Sequence, residues 1–174
     1  MAYTPMELAT VFIQTGELSD ALAALDEQLA AQPFDDSARR LRAATRLRLR
    51  DAVSLQAALA DYAALTTPTP DDQVQRSIVH EQLGDVPAAI AAMDDVLVMQ
   101  PSVERWLERQ VTLLQKHGDF ASALAIVDTQ PHTWRWEQWR GDLQAGARQL
   151  ATAIVAYTDA LALLGAVATD LEPS

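Results

Sequence analysis

The sequence predicts an all-α protein built from repeated helical hairpins, on three observations. Alanine supplies much of the hydrophobic content, which is 49% of the 174 residues, and glycine totals only six. Alanine has the highest helix propensity because it loses no side-chain entropy in a helix. No stretch alternates apolar and polar residues over the length of a strand. Finally, GDVPAAIAAMDDVL from Gly84 and GDFASALAIVD from Gly118 are similar segments 34 residues apart.

The other copies fall on the same period. GELSDALAALDEQL starts at Gly16, two periods before Gly84, and DAVSLQAALADYAAL lies between them, aligned on Arg50, where the glycine is missing. A fifth copy, QLATAIVAYTDALAL, carries Ala153-Ile154, Tyr157 and Ala160-Leu161. It arrives 30 residues after Ala123-Leu124, because Pro131 cuts the fourth copy short. The expected units are about 2–35, 36–69, 70–103, 104–133 and 134–164, one domain over 2–164, followed by a tail over 165–174. In the second helix of a unit, Ala21, Leu25, Gln28 and Leu29 share a face, as do Ala89, Met93, Val96 and Leu97. First helices have start signals: Thr4-Pro5 with Glu7, Thr69-Pro70 with Asp72, and Ser102 with Glu104. Pro33, Pro68 and Pro101 fall between helices, where a missing N–H does no harm.

Gly16, Leu18, Ala21, Leu25, Leu29 and Pro33 resemble the tetratricopeptide repeat (TPR) pattern of a 34-residue helix-turn-helix. Gly84, Val86, Ala89, Met93, Leu97 and Pro101 resemble it too, as do Gly118, Phe120, Ala123 and Val127. The resemblance covers residues 2–164. It implies a right-handed α-solenoid of about five antiparallel helix pairs, with first helices lining a concave surface and second helices forming the convex back. An architecture is not an activity.

Three units depart from the pattern in their first helices. In strict register, the buried positions of the second unit's first helix fall on Arg39, Arg42 and Arg46, and three buried unpaired guanidinium groups are untenable. A slip of one residue puts Ala43, Ala44 and Leu47 there instead. The third unit's first helix has Val74 and Ile78 as its main anchors. In the fifth, Trp136, Trp139, Leu143 and Ala147 form a stripe one register early, with Trp136 and Trp139 expected in the core.

Composition excludes several functions. The net charge of -11 argues against a nucleic-acid binder, since phosphate neutralisation needs a basic surface. With no cysteine there are no disulfides, thiolate metal sites or cysteine nucleophiles. No apolar run approaches a membrane span, so no membrane insertion is expected. The N-terminal residues lack a basic stretch leading into an apolar core, so a cytoplasmic location is expected. His80, His117 and His132 have no metal-ligand spacing, and neither a phosphate-cradling loop nor a nucleophile elbow is present. The chain is read as a non-enzyme without cofactor or metal.

The charges sort by helix. Lys116 and eleven of the twelve arginines lie in first-helix segments, six of them in RRLRAATRLRLR from Arg39 to Arg50; acids concentrate in the second helices. With the resemblance, this implies a groove that is locally basic and takes a partner protein or peptide, arginine's planar fork suiting carboxylates. The alternative is that the arginines pair with acids of neighbouring helices. Inward positions are Tyr3, Met6, Thr10, Arg40, Arg48, Arg105, Arg109, Thr112 and Arg135. Family members that grip a C-terminal carboxylate use lysine and asparagine at set positions; with no asparagine and one lysine, that clamp is missing. Trp134, beside a helix start, is an aromatic anchor candidate, with partial burial the favoured reading. In the last helix Leu150, Ile154, Tyr157, Leu161 and Leu164 form one stripe. Val155, Ala162 and Leu163 on the other side are candidates for an end interface, including a homodimer. The leading expectation is a protein-binding scaffold. Its rivals are a small acidic chaperone holding an extended client and a structural subunit of a larger complex.

Overall fold

Among the described residues, five with positive φ set the architecture. They are Gly16 (φ 87°), Arg50 (60°), Gly84 (81°), Gly118 (85°) and Arg148 (61°), and each stands at the turn before a second helix. Their spacing is 34, 34, 34 and 30 residues. The repeat read from glycines is thus a repeat of left-handed turns, and two arginines adopt the conformation where glycine is missing. A residue with a Cβ pays about 1–2 kcal/mol for that conformation.

The structure, a computed structural model, describes residues 3–170. Its hairpins are α1 (Pro5–Thr15) with α2 (Leu18–Ala31), α3 (Asp36–Leu49) with α4 (Ala52–Ala63), α5 (Pro70–Gln82) with α6 (Val86–Met99), α7 (Glu104–His117) with α8 (Phe120–Val127), and α9 (Trp134–Gly146) with α10 (Leu150–Asp170). Capping boxes start α1 at Thr4 and α5 at Thr69. The start read at Ser102 moves by one residue: Val103 is the N-cap of α7, without a side-chain bond. The helices group into two compact units, Met1–Gln100 and Pro101–Ser174, where the sequence predicts one domain. Residue 2 and the tail positions 171–174 lie outside the described residues, and α10 continues through 165–170, which the sequence assigns to the tail.

In the first unit small residues carry the helix contacts. Ala9, Ala24, Leu25, Leu29 and Ala38 join α1, α2 and α3, and Met6, Leu8 and Leu41 pack against them. Ala43, Leu55, Ala58, Tyr62, Leu65 and Val79 join α3, α4 and α5. Truncating a fully buried leucine such as Leu25 to alanine costs about 2–5 kcal/mol. In α5 the fully buried anchor is Val79 beside Val74, and Ile78 is only half-buried.

The register of α3 is a compromise that the sequence reading missed. Ala43 is buried as the one-residue slip predicts, but Ala44 is exposed and Leu47 half-buried. Arg42 and Arg46 are mostly buried after all, because both donate to Asp61 of α4, whose side chain is 4% exposed. Arg42 also reaches Asp26 of α2 at 2.6 Å, and Arg46 the Ala57 carbonyl. Arg39 donates to the carbonyls of Pro33 and Ala64. Paired this way, the guanidinium groups bring no uncompensated charge into the interior.

In the second unit, Trp136 and Leu143 of α9 are in the core with Val111 and Leu113 of α7, Ala123 and Val127 of α8, and Ala153 and Ala156 of α10. The α9–α10 contact is close: a Cβ on Gly141 would stand 2.5 Å from the Tyr157 ring. That proximity corrects the reading of α10. Its alanine side packs inward, while Leu150, Ile154 and Leu161 are 64–70% exposed and Leu164 is 44% exposed. The premise that no segment approaches a membrane span does not hold for α10. By length and composition Leu150–Val167 could cross a membrane, with a mean hydropathy of 1.8; it escapes a search for an unbroken apolar run because Thr152, Thr158 and Asp159 interrupt it.

Candidate protein-binding surface

The first unit holds five of the predicted groove residues, and most are engaged within it. Tyr3 is exposed and Met6 packs into the α1–α2–α3 cluster. The Thr10 hydroxyl donates back to the Met6 carbonyl. Arg40 clamps Asp72 at the start of α5 with Nε and a terminal nitrogen at 2.9 Å, and also reaches the Thr67 carbonyl. Burial alone would raise the Asp72 carboxyl, but the Arg40 guanidinium and the Thr69 amide and hydroxyl hold it below the ordinary carboxylate range. Burial pushes the Tyr62 phenol beside this pair up to about 12. Arg48 is exposed but donates to the Ile13 carbonyl at the end of α1. The basic run thus fastens α3 to α1, α2, α4 and α5, which is the intramolecular alternative read from the sequence.

The second unit presents its groove residues more openly. Arg105 is exposed and lies over the Trp106 ring, 4.1 Å from its centroid, a stacked cation that keeps its N–H groups available. Arg109 is half-buried, and Thr112 donates its hydroxyl to the Glu108 carbonyl. Arg135 reaches Glu108 at 2.5 Å while half of its side chain stays exposed.

Around Arg135 the helix spacing of α9 gathers an aromatic surface. Trp134, Arg135, Gln138, Trp139 and Asp142 are three or four residues apart, so they share one face; they line a depression of about 240 Å³. Trp134 is half-buried, as read from its position. Trp139 is not the core residue expected: Trp136 is 2% exposed, whereas Trp139 is half-buried at the rim of the depression. The reading missed Gln138 and Asp142, and the signal for them was their i, i+4 relation to Trp134 and Gln138. Asp142 is fixed by the Tyr157 hydroxyl, which donates to it at 2.8 Å.

On the opposite side of α9 lies a charge cluster centred on the buried Glu137. Glu137, 3% exposed, sits 2.5 Å from Arg140 and 2.6 Å from His132, and Arg140 also pairs with Asp128 at 2.9 Å. Burial opposes ionisation of Glu137, but Arg140 and His132 keep its carboxyl below the ordinary range. Sequence reading does not reveal this cluster, because His132 precedes the helix and Asp128 belongs to the preceding hairpin. Of the end-interface candidates, Val155 and Ala162 are exposed and Leu163 is half-buried. Among the described residues there is no group of three or more side chains able to hold a metal.

No family model matches the sequence, and no curated protein matches it significantly. Solved structures do. The crystal structure of MamA protein superposes with a TM-score of 0.75 at 15% identity, covering 98% of this chain and 95% of that one. YrrB, described as a TPR protein with an unusual peptide-binding site, gives 0.69 at 14% identity, covering 91% and 84%. A TPR repeats protein from Bacteroides fragilis NCTC 9343 gives 0.60 at 12% identity, covering 92% and 87%. At these identities the likeness is one of backbone architecture. The chain has the all-α fold of tetratricopeptide repeat proteins, antiparallel helix hairpins in series.

Proposed function

We propose that this protein is a non-enzymatic protein-interaction scaffold whose α9 face receives a segment of a partner protein. The observation that carries the reading is the depression at Trp134, Arg135, Gln138, Trp139 and Asp142. Tryptophan and arginine are enriched where binding energy concentrates, and a rigid helix holds them without a large ordering cost. The two indoles suit an apolar or aromatic side chain. The exposed part of Arg135, with Arg105 on α7 of the same unit, suits a carboxylate. In an acidic chain such local basic groups are screened within about 10 Å at 0.1 M salt, so the charge contact acts at short range. The TPR proteins of like fold make a scaffold the natural class, and the peptide-binding site named for YrrB belongs to that protein.

Site-specific photo-crosslinking tests the reading. A photoreactive phenylalanine at Trp139 should give a discrete adduct in cells, and Arg135→Glu should abolish it. A matching probe at Ser122, exposed on α8, should give none. Adducts equal at both positions, or indifferent to Arg135→Glu, would remove the α9 face from the proposal.

A second reading, a subunit of an assembly that covers the last helix, rests on a different observation. The helix α10 leaves Leu150, Ile154, Val155, Leu161, Leu164 and Val167 exposed.

A further inference from the structure

The first two hairpins of the first unit are each covered by the helix that follows. Ala38 and Leu41 of α3 pack on the residues of α1 and α2, and Val79 of α5 packs on those of α3 and α4. The α9–α10 hairpin offers a groove of the same kind, lined by Trp134, Gln138, Tyr157, Ala160, Leu161 and Leu164 and enclosing about 290 Å³; Trp134 and Gln138 form its shared wall with the depression of the proposed partner site, so the two occupants meet at these residues. No described residue covers it. The stripe Leu150, Ile154, Leu161 and Leu164 runs along its edge over four turns of α10, at spacings that keep one face.

We propose that a second copy of this chain covers this surface, each copy's α10 lying antiparallel in the α9–α10 groove of the other. The occupant of such a groove must be a helix with an apolar stripe, and α10 itself is one. A two-fold contact is self-complementary: a residue near the axis meets its own counterpart, so a charged patch repels itself. For a chain with a net charge of -11, few surfaces escape that penalty. From Leu150 to Val167 the single charged residue is Asp159, which the helical period places on nearly the opposite side from the stripe.

An antiparallel crossing at Tyr157 and Thr158 sets Ile154 against the partner's Leu161 and Leu150 against the partner's Leu164. The four stripe residues are 44–70% exposed, on the order of 450 Å² of apolar surface per copy, a patch as large as the largest that a typical monomer leaves open. The groove walls add little free surface, so the contact buries roughly 1,000 Å² over the two copies, at the small end of the range for specific interfaces. A head-to-tail contact with α1 fits less well, because Glu7, Thr10 and Gln14 are exposed there and Val11 is the one exposed large apolar residue of that helix. A lipid surface fits less well too, since interfacial helices carry lysine or arginine on the polar face and α10 has neither.

The proposal rests on the assembly reading and commits its occupant. Light scattering on the purified full chain should give twice the monomer mass at micromolar concentration. Leu161→Glu, at a position already 70% exposed and so without cost to folding, should return the monomer mass with helicity by circular dichroism unchanged. The chain has no cysteine, so Thr158→Cys is a clean probe and should form a disulfide-linked dimer under mild oxidation. A wild-type monomer mass at all concentrations, or a dimer that survives Leu161→Glu, overturns the second copy as occupant. If the wild type is monomeric, hydrogen exchange on α10 in the complex captured through Trp139 separates the two ideas. Protection of α10 keeps the assembly reading with another occupant, and unchanged exchange removes that reading as well.

Discussion

Asp61 is the residue whose removal most directly tests the account of the arginine run. Asp61→Ala leaves Arg42 and Arg46, each with 19% of its side chain exposed, without their shared carboxylate; Arg42 keeps only the largely exposed Asp26. Breaking a buried pair by deleting one partner costs about 3–5 kcal/mol. The residual exposure of both guanidinium groups lets water reach them, so the expected loss is at the low end, ~3 kcal/mol. For a chain of this length that lowers the melting temperature by roughly 6–12 °C. Urea unfolding followed by circular dichroism measures the loss directly. The pairing argument makes a second, sharper demand. Replacing all three residues by leucine (Arg42→Leu, Arg46→Leu, Asp61→Leu) removes the charges together and should recover most of the lost stability, because an apolar set of similar volume often matches a buried ion triad. If Asp61→Ala shifts stability by less than about 0.5 kcal/mol, the two arginines are held by something other than this carboxylate. If the triple variant is no better than the single one, the loss came from packing and the electrostatic reasoning fails.

Arg50→Gly should stabilise the chain by up to about 1 kcal/mol, because the left-handed turn at φ 60° favours glycine and Arg50 is exposed; a lowered melting temperature would count against it. Gly141→Ala should destabilise by about 1–3 kcal/mol in a thermal melt, since the new methyl meets the Tyr157 ring and the hydroxyl bond to Asp142 hinders that ring from swinging aside. Stability should fall in two steps on acidification. Burial lowers the His80 pKa below its ordinary 6.5, against a weaker pull from Asp85, so its contribution is complete above pH 6.5 and fades as pH falls below that; His80→Gln should flatten this step in a pH series of urea midpoints. Asp72 has a lowered carboxyl pKa, so its contribution is complete above about pH 4 and is lost as pH falls through the folded-state value; Asp72→Asn should remove part of that lower step.

The sequence was most legible where one position carries a backbone demand. The turn glycines at 16, 84 and 118 announced the period, and the alignment pointed to Arg50 as the residue standing in for the missing one. The caps at Thr4 and Thr69 were readable for the same reason, because a hydroxyl three residues before a carboxylate satisfies a defined pair of N–H groups. Burial of charge was harder to read. The rule that an unpaired arginine stays out of the core led to a register slip, but the partner that relaxes the rule, Asp61, lies on another helix 15–19 residues away. Nothing local to RRLRAATRLRLR reveals it. The α9 face is half legible: Trp134 stands out by its position at the helix start, while an i, i+3 pair of tryptophans looks like a packing stripe and so points Trp139 to the core.

The orientation of α10 turned on which of two apolar faces packs inward. Size suggests the leucine and isoleucine stripe, since it would bury the larger area. Close approach decides otherwise. Gly141 lets the Tyr157 ring lie directly on the α9 backbone, and at that separation the facing positions must be small, which selects Ala153, Ala156 and Ala160. The large residues are then turned outward by the same contact. The consequence runs against the expectation that charge would be the main binding device. In the first unit the arginines expected to draw in a partner are spent on internal carboxylates and carbonyls. In the second, the close α9–α10 packing leaves uncommitted both the aromatic face of α9 and the aliphatic face of α10. On the proposed reading, such a scaffold would recognise its partner mainly by shape and apolar complement, with Arg105 and Arg135 adding direction. Salt should therefore weaken partner binding only slightly, and a fall of tenfold or more between 50 and 200 mM salt would show that charge dominates after all.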